Sequence, residues 1–334
     1  PCILYGELYT KYKSEIIKQV ESKTDIDCSK LKRSKANDVI IPCSGETAVD
    51  IATARCVPFD NILLGGDLNI ISLHKYDGAF MSYQLNGKRK YDIARVAQGV
   101  SVVHLYGEHL KAIKTYNPSL PEQQKIAKLL SLIDERIATQ NKIIEDLKKL
   151  KSAIRKKIFS LLKDEYTKSF EINQLLDYEQ PTAYIVANDE YSTDTRLTPV
   201  LTANKGFILG YTDEKNGIYQ KGACIIFDDF TMDAKYVSFP FKVKSSAIKI
   251  LTAKPNVNLR FMFEYLSHWE LKSEEHKRHY ISEISPLVIE LPSKEKQNII
   301  ALLMTSLNNK LTIEEKAKIR YEVQKGYLLS QMFI

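Results

Sequence analysis

The 334-residue sequence contains no stretch of 18 or more consecutive apolar residues, which argues against a membrane-spanning helix. Its five cysteines form no C-x-x-C pair and no Cys/His cluster with zinc-finger spacing: Cys2, Cys28, Cys43, Cys56 and Cys224. We interpret them as reduced thiols with a packing role. The first residues, Pro1 to Tyr5, lack a basic segment followed by an apolar run, so we expect no secretory signal and a cytoplasmic location.

Motifs for methyl transfer and nucleotide hydrolysis are also missing. The Asn-Pro dipeptide at Asn117 continues with Ser-Leu, not with the Pro-aromatic pair that holds a flipped base in a methyltransferase. Leu64-Gly-Gly-Asp indicates a turn, and no G-x-x-x-x-G-K-[ST] motif occurs. Asp228 and Asp229 could hold a metal, but neighbouring strand residues point to opposite faces. We therefore expect no catalysis, no metal site and no cofactor in this chain.

The composition indicates a soluble globular protein of two or three domains, with 44% hydrophobic residues. A net charge of +7 is compatible with a polyanionic partner, although many ordinary proteins share it. Charge alone therefore favours nucleic-acid binding only slightly.

An internal repeat is the most informative feature of the sequence. Shifting the chain by 174 positions aligns two long segments without gaps, and conservative pairs lie between the identical ones, which are Pro118/Pro292, Ser119/Ser293, Gln123/Gln297, Ile126/Ile300, Ala127/Ala301, Leu129/Leu303, Lys142/Lys316, Lys151/Lys325 and Phe159/Phe333. The match extends upstream through Tyr106/Tyr280 and Leu110/Ile284. Further upstream, Val39-Ile-Ile resembles Cys224-Ile-Ile at a different offset, which indicates loop insertions. The repeating element is a variable β-rich globule followed by a constant helix.

Both constant segments predict long helices with a coiled-coil seam. Apolar residues recur at a and d positions, and the predicted interface consists of Ile126, Leu130, Ile133, Ile137, Ile144, Leu147, Ile154, Ile158, Ile300, Met304, Leu307, Leu311, Leu328 and Met332. Antiparallel pairing would cover both apolar stripes and place the globules at opposite ends. Gln140 and its equivalent Glu314 would then form a polar layer near the middle of the seam, which fixes the register. Separate packing of each helix on its own globule is the alternative.

The remaining segments read as α+β globules, with strand-like runs at Asp38–Pro42, Leu68–Leu73, Ala223–Phe227, Tyr236–Val243 and Ala247–Leu251. The predicted fold is α+β: two similar β-rich globules separated by two long antiparallel helices. The predicted segments are 1–117 (first globule), 118–163 (first long helix), 164–291 (second globule) and 292–334 (second long helix).

Several motifs together resemble the specificity subunits of type I restriction–modification enzymes. They are Pro121-Glu-Gln-Gln-Lys-Ile-Ala-Lys-Leu-Leu, Leu132-Ile-Asp and Lys156-Lys-Ile-Phe in the first helix, and Thr198-Pro-Val-Leu-Thr-Ala, Phe207-Ile-Leu-Gly-Tyr-Thr, Ile225-Ile-Phe-Asp-Asp-Phe-Thr and Phe241-Lys-Val-Lys-Ser-Ser-Ala in the second globule. The resemblance covers essentially the whole chain.

The resemblance implies a non-catalytic subunit with two target recognition domains. Each domain would read one half of a split double-stranded DNA sequence, across a spacer whose length the helices set. The helices would also bind two methyltransferase (modification) subunits, which carry S-adenosylmethionine, and restriction subunits would join that core.

One departure from the repeat concerns the start of each globule. In the second copy, Asp164 to Thr198 precedes the Thr-Pro-Val-Leu segment, whereas the first copy begins directly at Pro1. Either the first domain has lost its opening strands, or the sequence starts late. We expect the first domain to lack its N-terminal segment.

Polar and basic residues in predicted loops are the candidate DNA contacts. Lysine and arginine would neutralise phosphates, while serine, threonine, aspartate and arginine could read base edges. The candidates are Ser44, Gly45, Thr47, Lys88, Arg89 and Lys90 in the first domain and Lys205, Tyr211, Asp229, Thr231, Lys235, Arg278 and His279 in the second. For each of them a solvated surface role is the alternative, and Lys88-Arg89-Lys90 could instead cap a helix C-terminus.

Two other functions fit the same features. A duplicated coiled-coil adaptor would use its globules to bind proteins and not DNA. A DNA-specificity subunit could also serve another type of restriction–methylation enzyme. The recognised DNA sequence does not follow from the amino-acid sequence, because base reading depends on loop geometry.

Overall fold

The computed structural model describes residues 1–25, 31–162, 168–202, 206–269 and 278–333. The chain forms two compact units: the first unit is Pro1–Ile144 with Ile313–Ile334, and the second unit is Glu145–Thr312. Each unit contains a β-rich globule and a part of each long helix. The compact units therefore divide the chain differently from the four predicted segments, because both helices contribute to both units. Within the described ranges no helix is both long and apolar enough to cross a membrane.

The first unit is built on a three-stranded antiparallel sheet in the order β5–β3–β7. Smaller sheets have the orders β1–β6–β2 and β4–β8. The strands are β1 (Cys2–Ile3), β2 (Lys32–Arg33), β3 (Asp38–Pro42), β4 (Ser44–Gly45), β5 (Arg55–Val57), β6 (Leu63–Leu64), β7 (Leu68–Ile71) and β8 (Val103–His104). The helices are α1 (Glu7–Thr10), α2 (Ala48–Ile51), α3 (Gly78–Asn86), α4 (Lys90–Val96), α5 (Gly107–Lys111) and the first part of α6 (Leu120–Leu162).

Strand β3 is buried on both faces, which explains its continuous apolar sequence. Side chains of a strand alternate between faces, so Val39 and Ile41 join one core cluster while Ile40 joins another. All three residues are fully buried.

The second unit contains a four-stranded antiparallel sheet in the order β10–β16–β13–β14. Smaller sheets have the orders β12–β11–β15 and β17–β9. The strands are β9 (Lys168–Glu171), β10 (Leu176–Glu179), β11 (Thr198–Leu201), β12 (Ile208–Thr212), β13 (Cys224–Asp228), β14 (Ala234–Val237), β15 (Lys242–Val243), β16 (Ile248–Ala253) and β17 (Val288–Leu291). The helices are α7 (Ile172–Leu175), α8 (Leu259–His268), α9 (Lys294–Gln331), a 3₁₀ turn (Pro181–Tyr184) and a π-helical turn (Tyr280–Ile284).

Strand β13 is the counterpart of β3 and is also buried on both faces. Ile225 and Phe227 join one core cluster, whereas Cys224 and Ile226 join another. The upstream similarity between Val39-Ile-Ile and Cys224-Ile-Ile therefore marks the central strand of each globule.

The start of each long helix is tied to its globule by the same glutamine. In the first unit, the Gln123 side chain accepts a hydrogen bond from the backbone N–H of Asp77 (2.9 Å) and donates one to the Pro118 carbonyl (2.8 Å). In the second unit, Gln297 accepts from the N–H of Asn258 (2.9 Å) and donates to the Pro292 carbonyl (2.9 Å). Both glutamines are about 1% exposed.

Asp77 and Asn258 are themselves helix N-caps. The Asp77 side chain accepts from the Phe80 N–H (2.8 Å) at the start of α3, and Asn258 accepts from the Phe261 N–H (3.0 Å) at the start of α8. The repeated glutamine thus holds the first turn of a globule helix against the first turn of a long helix, once in each unit.

The end of each long helix packs onto an equivalent phenylalanine. The rings of Phe80 and Phe333 lie 5.3 Å apart at 59° in the first unit, and those of Phe261 and Phe159 lie 5.7 Å apart at 59° in the second. All four rings are buried. Each globule therefore receives the start of one long helix and the end of the other.

The helices run antiparallel within each unit, as the sequence predicts. In the first unit Gln140 contacts Glu314, Arg136 lies over the ring of Tyr321, and Asp134 pairs with Lys325. From one of these contacts to the next, the residue number falls in α6 and rises in α9, as it does between antiparallel helices. In the second unit Ile154 and Ile158 share a core cluster with Ile300 and Met304.

No predicted seam residue is exposed. Leu130, Ile133, Ile144, Ile300, Met304 and Leu311 are buried, and Ile126, Ile137, Leu147, Ile154, Ile158, Leu307, Leu328 and Met332 are half-buried. Towards the helix ends, however, these side chains face the globules as well as the partner helix. Leu130, for example, packs in a cluster with Phe80 and Tyr83 of α3. The long helices therefore pack against the globules and also pair with each other, so both predicted arrangements occur together.

A buried charge cluster joins helix to globule in the first unit. The ammonium group of Lys325 lies 2.6 Å from a Glu15 carboxylate oxygen and 2.7 Å from one of Asp134. Tyr83 donates to Asp134 at 2.6 Å and Ser14 donates to it at 3.0 Å. Burial raises the pKa of Glu15, although the nearby Lys325 acts in the opposite direction. The cluster ties α9, α6 and α3 to the loop after α1.

The two globules differ at one edge of the main sheet. In the second unit β10 covers the edge of β16, and β9 pairs with β17 directly before α9. Among the described residues of the first unit, β7 has only β3 as a neighbour, and the segment 114–117 before α6 belongs to no strand. The first globule therefore has no described counterpart of β9, α7 and β10.

Candidate nucleic-acid interface

The turn between β13 and β14 is the best-defined candidate surface in the second unit. The Asp228 carboxylate accepts hydrogen bonds from the N–H groups of Phe230 (2.8 Å) and Thr231 (2.9 Å). Met232 has a φ of 60°, which allows its N–H to bond back to the Asp228 carbonyl at 3.0 Å. These bonds fix the turn and leave the Thr231 side chain exposed at its tip.

Asp229 attaches a second segment to this turn. Its carboxylate accepts from the N–H groups of His279 (3.1 Å) and Tyr280 (2.8 Å) and pairs with Lys249 at 3.2 Å. Asp229 and Lys249 are both about 1% exposed. A buried carboxylate is stable only when its oxygens have hydrogen-bond or ion-pair partners. The bonds from Asp229 to the His279 and Tyr280 N–H groups therefore hold the segment from residue 278 onwards beside the turn.

Three predicted DNA contacts are accessible on this surface. Thr231 is exposed, Arg278 is exposed with its guanidinium 6.0 Å from the centre of the Phe230 ring, and Lys235 is half-buried in β14. The structure therefore brings together a hydroxyl and two cations, which can contact base edges and phosphates. The surface formed by Thr231, Lys235 and Arg278 is called the turn surface below.

Two predicted contacts are corrected here. Asp229 is buried in the ion pair with Lys249, and His279 is about 2% exposed with its Nδ1 atom 2.8 Å from a Glu283 carboxylate oxygen. Neither side chain can reach DNA in this conformation, because both are enclosed by protein partners. We reassign them as residues that position the turn surface.

Asp228 is the last residue of β13 and Asp229 follows the strand, and their two carboxylates have different partners. One carboxylate serves the turn amides and the other is directed at Lys249. Within the described ranges no group of three or more His, Cys, Asp or Glu side chains could hold a metal ion. Burial raises the pKa of the Cys56 and Cys224 thiols to about 12, which makes these two thiols poor nucleophiles.

Tyr211 lies apart from the turn surface, in β12. It lines two open cavities of about 420 and 440 Å³, which also share Leu197. Arg196 borders the smaller cavity with its side chain 88% exposed, and Asp194 holds its guanidinium through bonds of 2.7 to 3.2 Å. The sequence analysis missed Arg196, although the local Asp-x-Arg spacing allows such a pair. Lys205 lies outside the described residues.

The predicted contacts in the first unit are mostly structural. Ser44 is buried and donates to Asp67 at 2.9 Å. A Cβ atom on Gly45 would lie 2.5 Å from the Ile51 side chain, so a side chain does not fit there. Thr47 is exposed, but it caps α2 by accepting from the Asp50 N–H at 3.1 Å. Ser44 and Gly45 are therefore corrected to packing residues.

The basic triplet joins two helices. α3 ends at Asn86, and Lys90 begins α4, so Lys88 and Arg89 lie in the connection. Arg89 pairs with Asp92 at 3.4 Å, and of the three residues Lys88 alone is exposed. The triplet thus follows α3, whose C-cap is Gly87, and the backbone N–H of Arg89 donates to the Gln84 carbonyl at 3.2 Å. Lys88 is the strongest remaining candidate for a phosphate contact.

The long helices carry a second surface, formed by apolar side chains that face solvent. In the first unit these are Leu129, Leu132, Ile313, Ile319, Val323 and Tyr327, and in the second unit Leu150, Ile299, Leu302 and Leu303. Leu129 and Leu303 occupy the same position of the repeat and are 44% and 42% exposed. Their identity was visible in the sequence, but their exposure was not.

A sequence model of the family described as type I restriction modification DNA specificity domain matches residues 12–149 and 164–323. Among curated proteins, the chain is 39% identical over 178 residues to the EcoR124I/EcoR124II specificity subunit of Escherichia coli, which is 48% of this chain and 43% of that protein. It is 25% identical over 251 residues to the putative MjaX specificity subunit of Methanocaldococcus jannaschii, and this match covers 66% of this chain and 58% of that protein. The matched segments thus span less than two thirds of these relatives.

Two solved structures share the fold. The S subunit of a type I restriction-modification system from M. genitalium superposes with a TM-score of 0.68 at 18% identity, covering 100% of this chain and 92% of that chain. A chain from a study of complex assembly and conformational transition of the type I R-M system gives 0.51 at 13% identity, covering 89% and 82%.

Proposed function

Because the chain belongs to the type I restriction modification DNA specificity family, we propose that it is a non-catalytic subunit that reads a bipartite DNA target. One globule would read each half of the target. The two matched segments, 12–149 and 164–323, support this assignment, since each contains one globule and the start of the long helix that follows it. A cytoplasmic location, where DNA is accessible to it, is part of the proposal.

The division between constant and divergent elements is the observation that carries the proposal. Gln123 and Gln297 accept equivalent backbone hydrogen bonds, one in each unit. Phe80 packs against Phe333, and Phe261 packs against the repeat partner Phe159. The helical frame is therefore duplicated. The surfaces around the sheets are not duplicated: a short turn joins β13 to β14, whereas the equivalent connection from β3 to β5 contains β4 and α2. A duplicated frame suits two identical partners, and divergent surfaces suit two different half-sites.

The partners would be two methyltransferase subunits that dock on the helices, with restriction subunits joining through them. The exposed and identical Leu129 and Leu303 support symmetric docking, because the same apolar side chain faces solvent in both copies. S-adenosylmethionine and the methyl-transfer chemistry would belong to those subunits. Solvent-facing leucines of this kind favour a protein partner over a nucleic acid.

DNA recognition is tested by a gel shift of the chain with its methyltransferase partner at two salt concentrations. We expect binding of target DNA that weakens by about a thousandfold between 50 and 200 mM salt if six or more phosphates are contacted. Binding of the partner without any DNA binding would favour the protein adaptor and overturn the proposal.

Partner docking is tested by native mass spectrometry of the same complex. Two methyltransferase subunits should bind the unaltered chain. Leu129→Asp and Leu303→Asp should each remove one of them, and the double variant should remove both. Leu161→Asp, at a leucine of similar exposure (46%) near the end of α6, is the matched control.

A further inference from the structure

An exposed arginine of the second unit, Arg196, is held in a fixed orientation by its neighbour Asp194. The Asp194 carboxylate accepts hydrogen bonds from the Nε atom of Arg196 at 2.9 and 3.2 Å and from its Nη2 atom at 2.7 Å. The same carboxylate accepts from the Arg196 backbone N–H at 3.0 Å. Because a guanidinium is planar and rigid, contacts along one of its edges fix the direction of the whole group.

The loop that carries this pair is anchored to β12. Ser192 exchanges two backbone hydrogen bonds with Tyr211, of 2.8 and 2.9 Å, and its hydroxyl accepts from the Asp194 N–H at 3.0 Å. The Leu197 N–H donates to the Asp194 carbonyl at 3.1 Å, directly before β11. The sheet β12–β11–β15 therefore sets the position of Asp194 and, through it, that of Arg196.

One edge of the Arg196 guanidinium is available to a ligand. A guanidinium has five N–H groups, and the contacts with Asp194 use the Nε–H and one Nη2–H. The two Nη1–H groups and the second Nη2–H point away from the carboxylate, and the side chain is 88% exposed. Two neighbouring donors on this edge match the two neighbouring acceptors of guanine in the major groove, O6 and N7.

The charges around Arg196 favour a base edge over a phosphate. Among the described residues that line the 420 and 440 Å³ cavities beside Tyr211, Arg196 alone carries a positive charge. The larger cavity adds the carboxylates of Glu190 and Asp213, and Asp194 already offsets the charge of the arginine. Such a surface repels a phosphate, whereas a base edge is uncharged and needs only aligned donors and acceptors.

The wall of the 420 Å³ cavity beside Arg196 is mainly apolar. Ile208 and Phe239 are exposed and line it together with Pro199 and Pro240. Hydrogen bonds next to apolar groups are stronger than in open water, because fewer water molecules compete for the donors. The wall can also contact the methyl group of a thymine next to the base that Arg196 binds.

We propose that Arg196 reads a guanine in the half-site recognised by the second globule, and that Asp194 is the positioning residue for this contact. The Nη1 and Nη2 groups donate to the O6 and N7 atoms of the base, in the major groove. This inference rests on the proposed function and adds to it the identity of one base of the target.

The proposal is tested by measuring how the chain, in complex with its methyltransferase partner, binds target DNA in which one guanine at a time is replaced by 7-deazaguanine. This analogue lacks the N7 acceptor and keeps its base pairing. At one guanine of one half-site, the replacement should weaken binding of the unaltered chain about five- to tenfold. The same replacement should weaken binding of Arg196→Ala by less than about twofold, because the donor is already missing.

Lys221→Ala is the matched control, since Lys221 is an exposed cation of the same globule that is also held by a carboxylate, that of Glu179 at 2.8 Å. It should keep the full response to 7-deazaguanine. Asp194→Asn should reduce that response, and it should change nothing further in an Arg196→Ala background. Melting curves of these variants should match the unaltered chain, because Arg196 and Lys221 are exposed and asparagine keeps one acceptor oxygen.

Two results would overturn the inference while leaving the proposed function intact. One is a bipartite target in which the response at every guanine is the same with and without Arg196. The other is an equal loss of affinity for all DNA sequences in Arg196→Ala, which would assign Arg196 to a phosphate. A full response in Asp194→Asn would remove the positioning role. Failure of the unaltered complex to bind any DNA target would overturn the proposed function and this inference together.

Discussion

Gln140 and Glu314 lie 174 residues apart at equivalent positions of the repeat, and they contact each other. The Gln140 side-chain amide donates to the Glu314 backbone carbonyl at 3.2 Å and also to the Glu314 carboxylate. The contact therefore joins the two long helices, within the first unit, at one shared position of the repeat. It is the polar layer that the sequence predicts in an otherwise apolar seam.

The first prediction concerns this polar layer. Gln140→Leu should lower the free energy of unfolding by about 1–2 kcal/mol, because the Glu314 groups lose a buried donor. Gln140→Leu together with Glu314→Leu should recover that loss, since an apolar layer replaces an incomplete polar one. Urea denaturation of the two single variants and the double variant measures the coupling. Additive effects of the two substitutions would show that the contact contributes no interaction energy.

The second prediction concerns the buried cluster of the first unit. Lys325→Met should destabilise the protein by about 3–5 kcal/mol at pH 7, because it leaves the Glu15 and Asp134 carboxylates without their shared cation. The matched control is Lys18→Met, which breaks an exposed ion pair with Glu135 (3.0 Å) and should cost less than about 1 kcal/mol.

The same variant should change the pH dependence of stability. Burial already raises the pKa of Glu15, and removing Lys325 removes an attraction that lowers it. A raised folded-state pKa gives stability below the ordinary carboxyl range, and that stability is lost as the pH rises through the folded pKa. The deficit of Lys325→Met relative to the unaltered chain should therefore be larger at pH 7 than at pH 5. Melting curves at both pH values measure it, and a deficit independent of pH would contradict the assignment.

The third prediction uses the repeated glutamines as controls for each other. Gln123→Ala should speed hydrogen exchange in α3, because Asp77 loses the acceptor of its N–H. Gln297→Ala should do the same in α8 through Asn258. The cost of each buried unsatisfied amide is about 1–3 kcal/mol. If either variant loosened both globule helices equally, the ties would not be local to their units.

The fourth prediction separates reading from positioning at the turn surface. Thr231→Ala and Arg278→Ala should weaken or relax recognition of one half of the DNA target and leave thermal stability unchanged, because both side chains are exposed. Asp229→Ala should instead lower stability by about 3–5 kcal/mol, since it leaves the ammonium group of Lys249 buried without its partner.

Methylome sequencing of cells that carry these variants measures recognition, and melting curves measure stability. Lys88→Ala, in the other globule, is the control for half-site identity. Loss of both half-sites in Thr231→Ala would contradict the assignment of one half-site to each globule.

The sequence alone determined the long helices, their antiparallel pairing, the polar layer at Gln140 and the duplication. These features follow from local periodicity and from identical residues at a fixed offset, and both can be read directly from the linear sequence. The central strands around Ile40 and Ile225 were also predictable, because strands buried on both faces read as continuous apolar runs.

Tertiary structure decided which polar residues are available to a partner. Asp229 and His279 look like surface residues in the sequence, yet Asp229 is buried against Lys249 of β16, and the backbone N–H of the buried His279 donates to Asp229 from 50 residues away. Tyr106 and Tyr280 share one repeat position but differ in exposure, 54% against 1%, because Tyr178 of β10, a strand distant in sequence, packs against the ring of Tyr280. Residue type and spacing do not predict these differences in burial, since burial depends on what packs against a side chain and not on the side chain itself.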